Sequence, residues 1–239
     1  MLETLTVLLL GFLIGMRHAL ESDHLAAVAT MATQAETVRQ TMKLGMTWGV
    51  GHTLTLFLLG SVVLFMDGIV PERFASGLEL IVGVMLVILG LDVIRRMRKR
   101  RVHFHVHEHE DGIRHFHAHA HDGTMPHDRD PHHHVHVSGL TWRALIVGMV
   151  HGAAGTAALV LLTLQTIHNV PLGLLYILVF GLGSVLGMGI VSVIISLPLL
   201  ATANRGLTRY HTALQLGIGL LTFAYGLVII WQLAPDVFG

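Results

Sequence analysis

Six apolar stretches, near residues 4–31, 44–66, 75–95, 142–167, 171–200 and 208–233, alternate with polar links along the 239 residues. Each meets or exceeds the roughly 20 helical residues needed to cross a hydrocarbon core of about 30 Å. None shows the ten-residue alternation of a barrel strand, and lipid leaves unpaired backbone groups without water partners, so the pattern predicts helices. The expected fold is all-α: a polytopic helical membrane protein of about six transmembrane helices. The first stretch carries Glu3 rather than a basic leader and runs without a small-residue cleavage site into a polar cluster at 17–24. It therefore reads as a retained span rather than a signal peptide.

Composition supports this reading. Hydrophobic residues make up 53% and charged residues 13% of the chain, with 15 basic against 15 acidic side chains. That balance disfavours a disordered tail and a basic nucleic-acid binder. The absence of Cys excludes a disulfide scaffold and removes thiolate from any metal site. Charge concentrates in 96–141, which holds Arg96, Arg98, Lys99, Arg100, Arg101, Arg114 and Arg129. Three domains are expected: transmembrane segments 1–95 and 142–239, separated by a histidine-rich, flexible loop at 96–141. With six crossings, thirteen Lys and Arg fall on the face bearing 34–43, 95–143 and 201–210, against Arg73 alone on the other, Arg17 lying within a span. The positive-inside bias then places the loop in the cytoplasm and both termini outside, in a prokaryotic inner or plasma membrane.

The two halves resemble each other. Gly15-Met16-Arg17-His18 matches Gly148-Met149-Val150-His151, and Gly49-Val50-Gly51-His52 matches Gly181-Leu182-Gly183-Ser184. Leu78, Gly83 and Gly90 match Leu214, Gly219 and Gly226. Three helices per copy is an odd number, so the copies are expected to be inverted, as in secondary transporters whose site lies near mid-membrane between the repeats. Gly45-x3-Gly49, Gly148-x3-Gly152 and Gly183-x3-Gly187 are expected to allow close helix contact.

The strongest chemical feature is Arg17-His18-Ala-Leu-Glu21-Ser-Asp23-His24 inside an apolar span. Such groups are costly in lipid unless they pair, meet water or hold a cation. At about 100° per residue, Asp23 lies about 140° and His24 about 240° around a helix from His18. An unbroken helix cannot turn all three towards one ion. Either the helix breaks near Leu20 to Ser22, the favoured reading, or His18, Glu21 and His24 face the path while Asp23 orients a ligand.

His18, Asp23 and His24, in the spacing His-x4-Asp-His preceded by Arg17 and followed by Leu25-Ala-Ala, resemble the signature of the NiCoT nickel/cobalt transporters, with Glu21 as the acidic residue inside it. A Gly-His pair in the next helix, Gly51-His52 within Trp48-Gly-Val-Gly-His-Thr, is a second similarity. The signature lies in the first of six stretches here rather than the second of eight, so the resemblance is to a shorter branch that includes efflux-type proteins and proteins associated with urease or hydrogenase. It implies Ni²⁺ and/or Co²⁺ as transported substrate with no tightly bound cofactor. Metallochaperones or nickel-enzyme maturation proteins are the implied partners. Imidazole with a few carboxylates suits borderline divalent ions in general, so the choice of nickel or cobalt rests on the resemblance.

The metal residues expected are thus His18, Asp23, His24, His52 and Glu21, with His151 and Arg17 in metal-binding or gating roles. His168 and His211 sit at helix ends, and Asp92 reads as an interface pair with Arg95 and Arg96. Thirteen of the 19 His lie in the loop: His103, His105, His107, His109, His115, His117, His119, His121, His127, His132, His133, His134 and His136. Their alternation hints at strands, but interleaved Asp, Glu, Gly and Pro favour an irregular tract. Such a tract would buffer metal or feed it to the pore, releasing it as pH falls through about 6.5. The expected function is secondary transport of Ni²⁺ and/or Co²⁺, uptake favoured over efflux, with no enzymatic activity. Alternatives are an efflux protein of the same fold, a membrane metal or haem enzyme using His18, His52 and His151, and a metal sensor.

Overall fold

The computed structural model describes residues 2–66, 72–99, 103–108, 114–119, 137–154 and 169–239. In chain order the elements are α1 (Leu2–His18), α2 (Ser22–Ala32), α3 (Val38–Met66), α4 (Glu72–Lys99), β1 (His103–Glu108), β2 (Arg114–His119), α5 (Val137–Ala154), α6 (Val170–Asn204) and α7 (Thr208–Phe238). Among the described residues, four helices (α3, α4, α6 and α7) are long and apolar enough to cross a membrane. The pair Thr4–His18 and Ser22–Ala32 qualifies together, bent by 56°, as a broken span or a re-entrant pair. The expected span at 142–167 is described only as far as Ala154, where α5 ends; the remainder, with His168, lies outside the described residues.

The first stretch is therefore interrupted where the polar cluster falls. Neither Gly nor Pro occurs between Arg17 and His24. α1 closes in two tight turns, Leu20 N–H donating to Arg17 O (2.9 Å) and Glu21 N–H to His18 O (3.1 Å). Glu21 is extended (φ −63°, ψ 147°), and the helix restarts as Leu25 N–H donates to Glu21 O at 2.9 Å. At the other sharp junction, between α6 and α7, Gly206 adopts φ +67°, a conformation that costs a residue with a Cβ.

Glycines set the helix contacts and reveal the directions of the helices. Gly11 lies beside Tyr176 and Gly15 beside the Phe180 carbonyl, so α1 and α6 run the same way. Gly148 meets the Trp48 carbonyl and Gly152 that of His52, so α3 and α5 also run together. Gly45 faces Ser192 and Gly181 faces Thr53, making α3 and α6 antiparallel; Gly83 against Gly226 and Gly90 against Gly219 do the same for α4 and α7. Hence α1 opposes α5, α3 opposes α6, and α4 opposes α7. The contacts are also reciprocal. Gly15 meets Phe180 as Gly148 meets Trp48, and Gly51 meets Leu145 and Met149 as Gly183 meets Phe12 and Met16. At each of these positions a Cβ would collide with backbone, which explains the small residues that the sequence repeats.

The outward surface is apolar. Leu58, Val62, Ile88, Leu182, Ile190, Ile194 and Leu221 are exposed, as they must be where lipid rather than water is the solvent. The buried core gathers Ala27, Val28, Leu44, Trp48, Leu86, Ala144 and Met188 between α2, α3, α4, α5 and α6. In the loop, β1 and β2 pair antiparallel with His103 opposite His119, His105 opposite His117 and His107 opposite His115. This corrects the expectation of an irregular tract across those twelve residues. Alternating Phe and Val positions are strand signals that outweighed the polar composition there. His109, His121, His127, His132, His133, His134 and His136 lie outside the described residues.

Candidate metal centre

Four elements bring four buried histidines together. The break ends α1 at His18 and starts α2 at Ser22, so His18 and His24 converge from two helix ends instead of diverging around one helix. His52 comes from the middle of α3, and His151 from the last turn of α5. All four are buried, His24, His52 and His151 completely. His24 is central, its ring centroid 4.1 Å from His18, 4.4 Å from His151 and 5.1 Å from His52.

Ring nitrogens of His18, His24 and His52 all lie within 4.8 Å of one another, and the Nε2 atoms of His18 and His52 are 3.3 Å apart. A transition-metal ion at about 2.1 Å from each nitrogen sets its ligands about 3–4 Å apart, so the triad closes on an ion with shifts of under about an ångström. A second group, Asp23, His24 and His151, meets the same distance condition and shares His24 with the first.

The carboxylates stand behind the imidazoles. Asp23 Oδ1 accepts from the His24 backbone N–H (2.9 Å) and lies 3.0 Å from His24 Nδ1, while Oδ2 lies 2.8 Å from His151 Nε2. A carboxylate accepts only, so both nitrogens facing Asp23 carry the proton. His24 Nε2 and His151 Nδ1 are then lone-pair donors, and both are buried with no hydrogen-bond partner among the described residues. Glu21 Oε1 approaches His18 Nδ1 to 2.8 Å, close enough for an ion pair but not aligned as a hydrogen bond. A carboxylate that fixes the tautomer of a ligating histidine is a recurrent support of metal sites.

Buried polar atoms in native proteins are nearly always paired. Here His24 Nε2, His52 Nδ1, His151 Nδ1 and the indole Trp48 Nε1 are buried and unpartnered among the described residues, on four side chains whose rings pack together. Trp48 stands edge-on to His24 and His151, with centroids 5.2 and 5.3 Å away. Imidazole lone pairs without donors suit a cation, whereas the Trp48 N–H is a donor and no ligand, and the Asp23 and Glu21 carboxylates offset positive charge beside the imidazoles.

Of the residues expected from the sequence, His18, Asp23, His24, His52 and Glu21 are brought together, and His151 joins them through Asp23. Arg17 is not: its side chain is exposed and makes no ion pair among the described residues. His211 binds Leu199 O, Thr202 and Gln215 at the end of α6, and Asp92 pairs with Arg96 and Arg143, so both serve helix junctions. Trp48 escaped the sequence reading as a site residue, although its place one turn before His52 was a usable signal. Glu79, an acidic residue within the α4 span, also escaped it.

Comparison with known proteins bears on this geometry. The urease accessory protein UreH of Bacillus sp. (strain TB-90) is 33% identical over 232 residues, covering 97% of this chain and 93% of that protein. The chain belongs to the UreH family. The similarity spans both halves, and UreH is named for support of an enzyme rather than for catalysis. No family model matches the chain, and no solved structure matches it. The UreH relationship shows the family, while the histidine cluster, with His24 Nε2, His52 Nδ1 and His151 Nδ1 unpartnered among the described residues, is a feature of this chain's own structure.

Proposed function

We propose that the protein is a secondary transporter of Ni²⁺ and/or Co²⁺, with the ion held near mid-membrane by His18, His24 and His52. The observation that carries this reading is the set of buried ring nitrogens without partners, backed by carboxylates, at a break between two half-helices. Urease is the enzyme that UreH is named for assisting, and a metal-supplying role for this relative fits the resemblance to NiCoT transporters. Nickel-enzyme maturation proteins are accordingly the proposed partners inside the cell.

In this reading α1–α4 and α5–α7 are inverted copies, and their rocking exposes the site alternately. The reciprocal glycine contacts and opposed helix directions support it. Asp23 holds His24 and His151, one from each copy, so the ion site and the contact between copies share a residue. Inward movement of two charges gains about 4.6 kcal/mol per 100 mV, which drives uptake without ATP. The positive-inside bias places 96–141 in the cytoplasm and the termini outside, with the loop as a reservoir for the same ion.

The test is flux of radioactive Ni²⁺ in proteoliposomes, measured in both directions with Co²⁺ and Zn²⁺ competing. Potential-driven uptake competed by Co²⁺ and lost in His24→Ala is expected. A haem absorption band with no flux would replace this reading by an enzymatic one, and binding without flux by a sensor.

A further inference from the structure

α2 covers only part of the α4–α7 pair. Along α7 it runs past Thr222, which donates to Ala26 O (3.4 Å), and then Gln215, which donates to Thr33 O (3.1 Å). Beyond Tyr225, towards the membrane face where α1 and α4 begin and α7 ends, α2 is absent and α1 packs on α6. The residues at the break that face this side are open. Leu20 and Ser22 are exposed, and Glu21 is 40% exposed although its carboxylate reaches the buried His18 ring at 2.8 Å.

Glu79 stands on the same side, an exposed acid on α4 six residues in from Arg73, about 9 Å deeper along the helix. Gly83, one turn past Glu79 on α4, packs against Gly226, the residue after Tyr225 on α7, so Glu79 and Tyr225 lie about one turn apart along the α4–α7 contact. An ionisable side chain within a span faces protein or a water-filled cavity rather than lipid. Behind Glu21 the buried His18 ring packs on His24 and His52, with centroids 4.1 and 5.3 Å away.

We propose that Glu79, Tyr225, Ser22 and Glu21 line the route by which a divalent cation reaches the buried histidines from the face where α1 and α4 begin. The proposal rests on the histidine cluster being the ion site. Carboxylates at the mouth raise the local cation concentration and exchange borderline ions readily, while imidazoles further in hold them more tightly. Glu21 is the handover point, because its carboxylate is half open to the route and touches His18.

The chain has no Cys, so single replacements give unique thiols. Full-length Ser22→Cys and Glu79→Cys are treated with a membrane-impermeant thiol reagent in right-side-out and inside-out vesicles, with and without Ni²⁺. Leu221→Cys, on the lipid-facing side of α7, is the control. Both test thiols are expected to react from the face where α1 and α4 begin, Ni²⁺ is expected to slow Ser22→Cys several-fold, and Leu221→Cys is expected to stay unmodified. In flux, Glu79→Gln is expected to raise the half-saturating Ni²⁺ concentration three- to tenfold at unchanged maximal rate, with Glu79→Asp restoring it. An unreactive Ser22→Cys, labelling indifferent to Ni²⁺, or an unchanged half-saturation overturns the route while leaving transport by the histidines intact. A wild-type protein that neither binds nor moves Ni²⁺ overturns both.

Discussion

Asp23 joins the two halves of the site, since one carboxylate faces His24 and His151, residues 128 positions apart from Asp23 in the latter case. Asp23→Asn keeps the size but offers only one oxygen to two ring N–H groups. Metal affinity is expected to fall about 10–100-fold, the usual cost of losing a carboxylate behind a ligating histidine. Trp48 supplies the readout: with Trp142→Phe and Trp231→Phe it is the sole indole, and Ni²⁺ is expected to quench its fluorescence saturably. Quenching that survives His24→Ala together with His52→Ala, or full affinity in Asp23→Asn, contradicts this account. The sequence displayed His18, Asp23, His24 and His52 because polar residues inside an apolar run stand out. It could not display the Asp23–His151 contact, because that arises only when helices from distant parts of the chain meet.

Among the helices, the close approaches depend on particular glycines. An added Cβ at Gly148 or Gly15 runs into the carbonyl of Trp48 or Phe180, backbone that cannot yield without shifting a helix. Gly148→Ala and Gly15→Ala are each expected to lower stability by about 1–3 kcal/mol, read as a fall in Tm of the detergent-solubilised protein. Gly77→Ala, with nothing within 4 Å, is expected to be neutral or to stabilise by up to about 1 kcal/mol. Equal losses at all three positions would remove the packing argument. The break between α1 and α2 was legible in advance, because His18, Asp23 and His24 cannot share one face of a straight helix. The β1–β2 pairing was not: composition pointed to irregular chain, while the alternation in 103–108 favoured a strand.

For the molecule as a whole, the membrane segments and the loop are expected to separate functionally. No residue of 103–108 or 114–119 belongs to the buried cluster, so deleting 103–136 is expected to reduce the Ni²⁺ bound per chain at saturation while leaving flux per protein within about twofold, a margin of about 0.4 kcal/mol in barrier height. Abolished flux would make the loop part of the transport path. The membrane-spanning helices followed from hydropathy, and the structure agrees on α3, α4, α6 and α7, with α1–α2 as a broken span or a re-entrant pair. The most direct measurement is Ni²⁺ uptake into proteoliposomes under an inside-negative potential, comparing the wild-type protein with His18→Ala, His24→Ala and His52→Ala variants of matched Tm and orientation. Uptake at background in all three variants is the predicted result, and wild-type uptake by His24→Ala would contradict it.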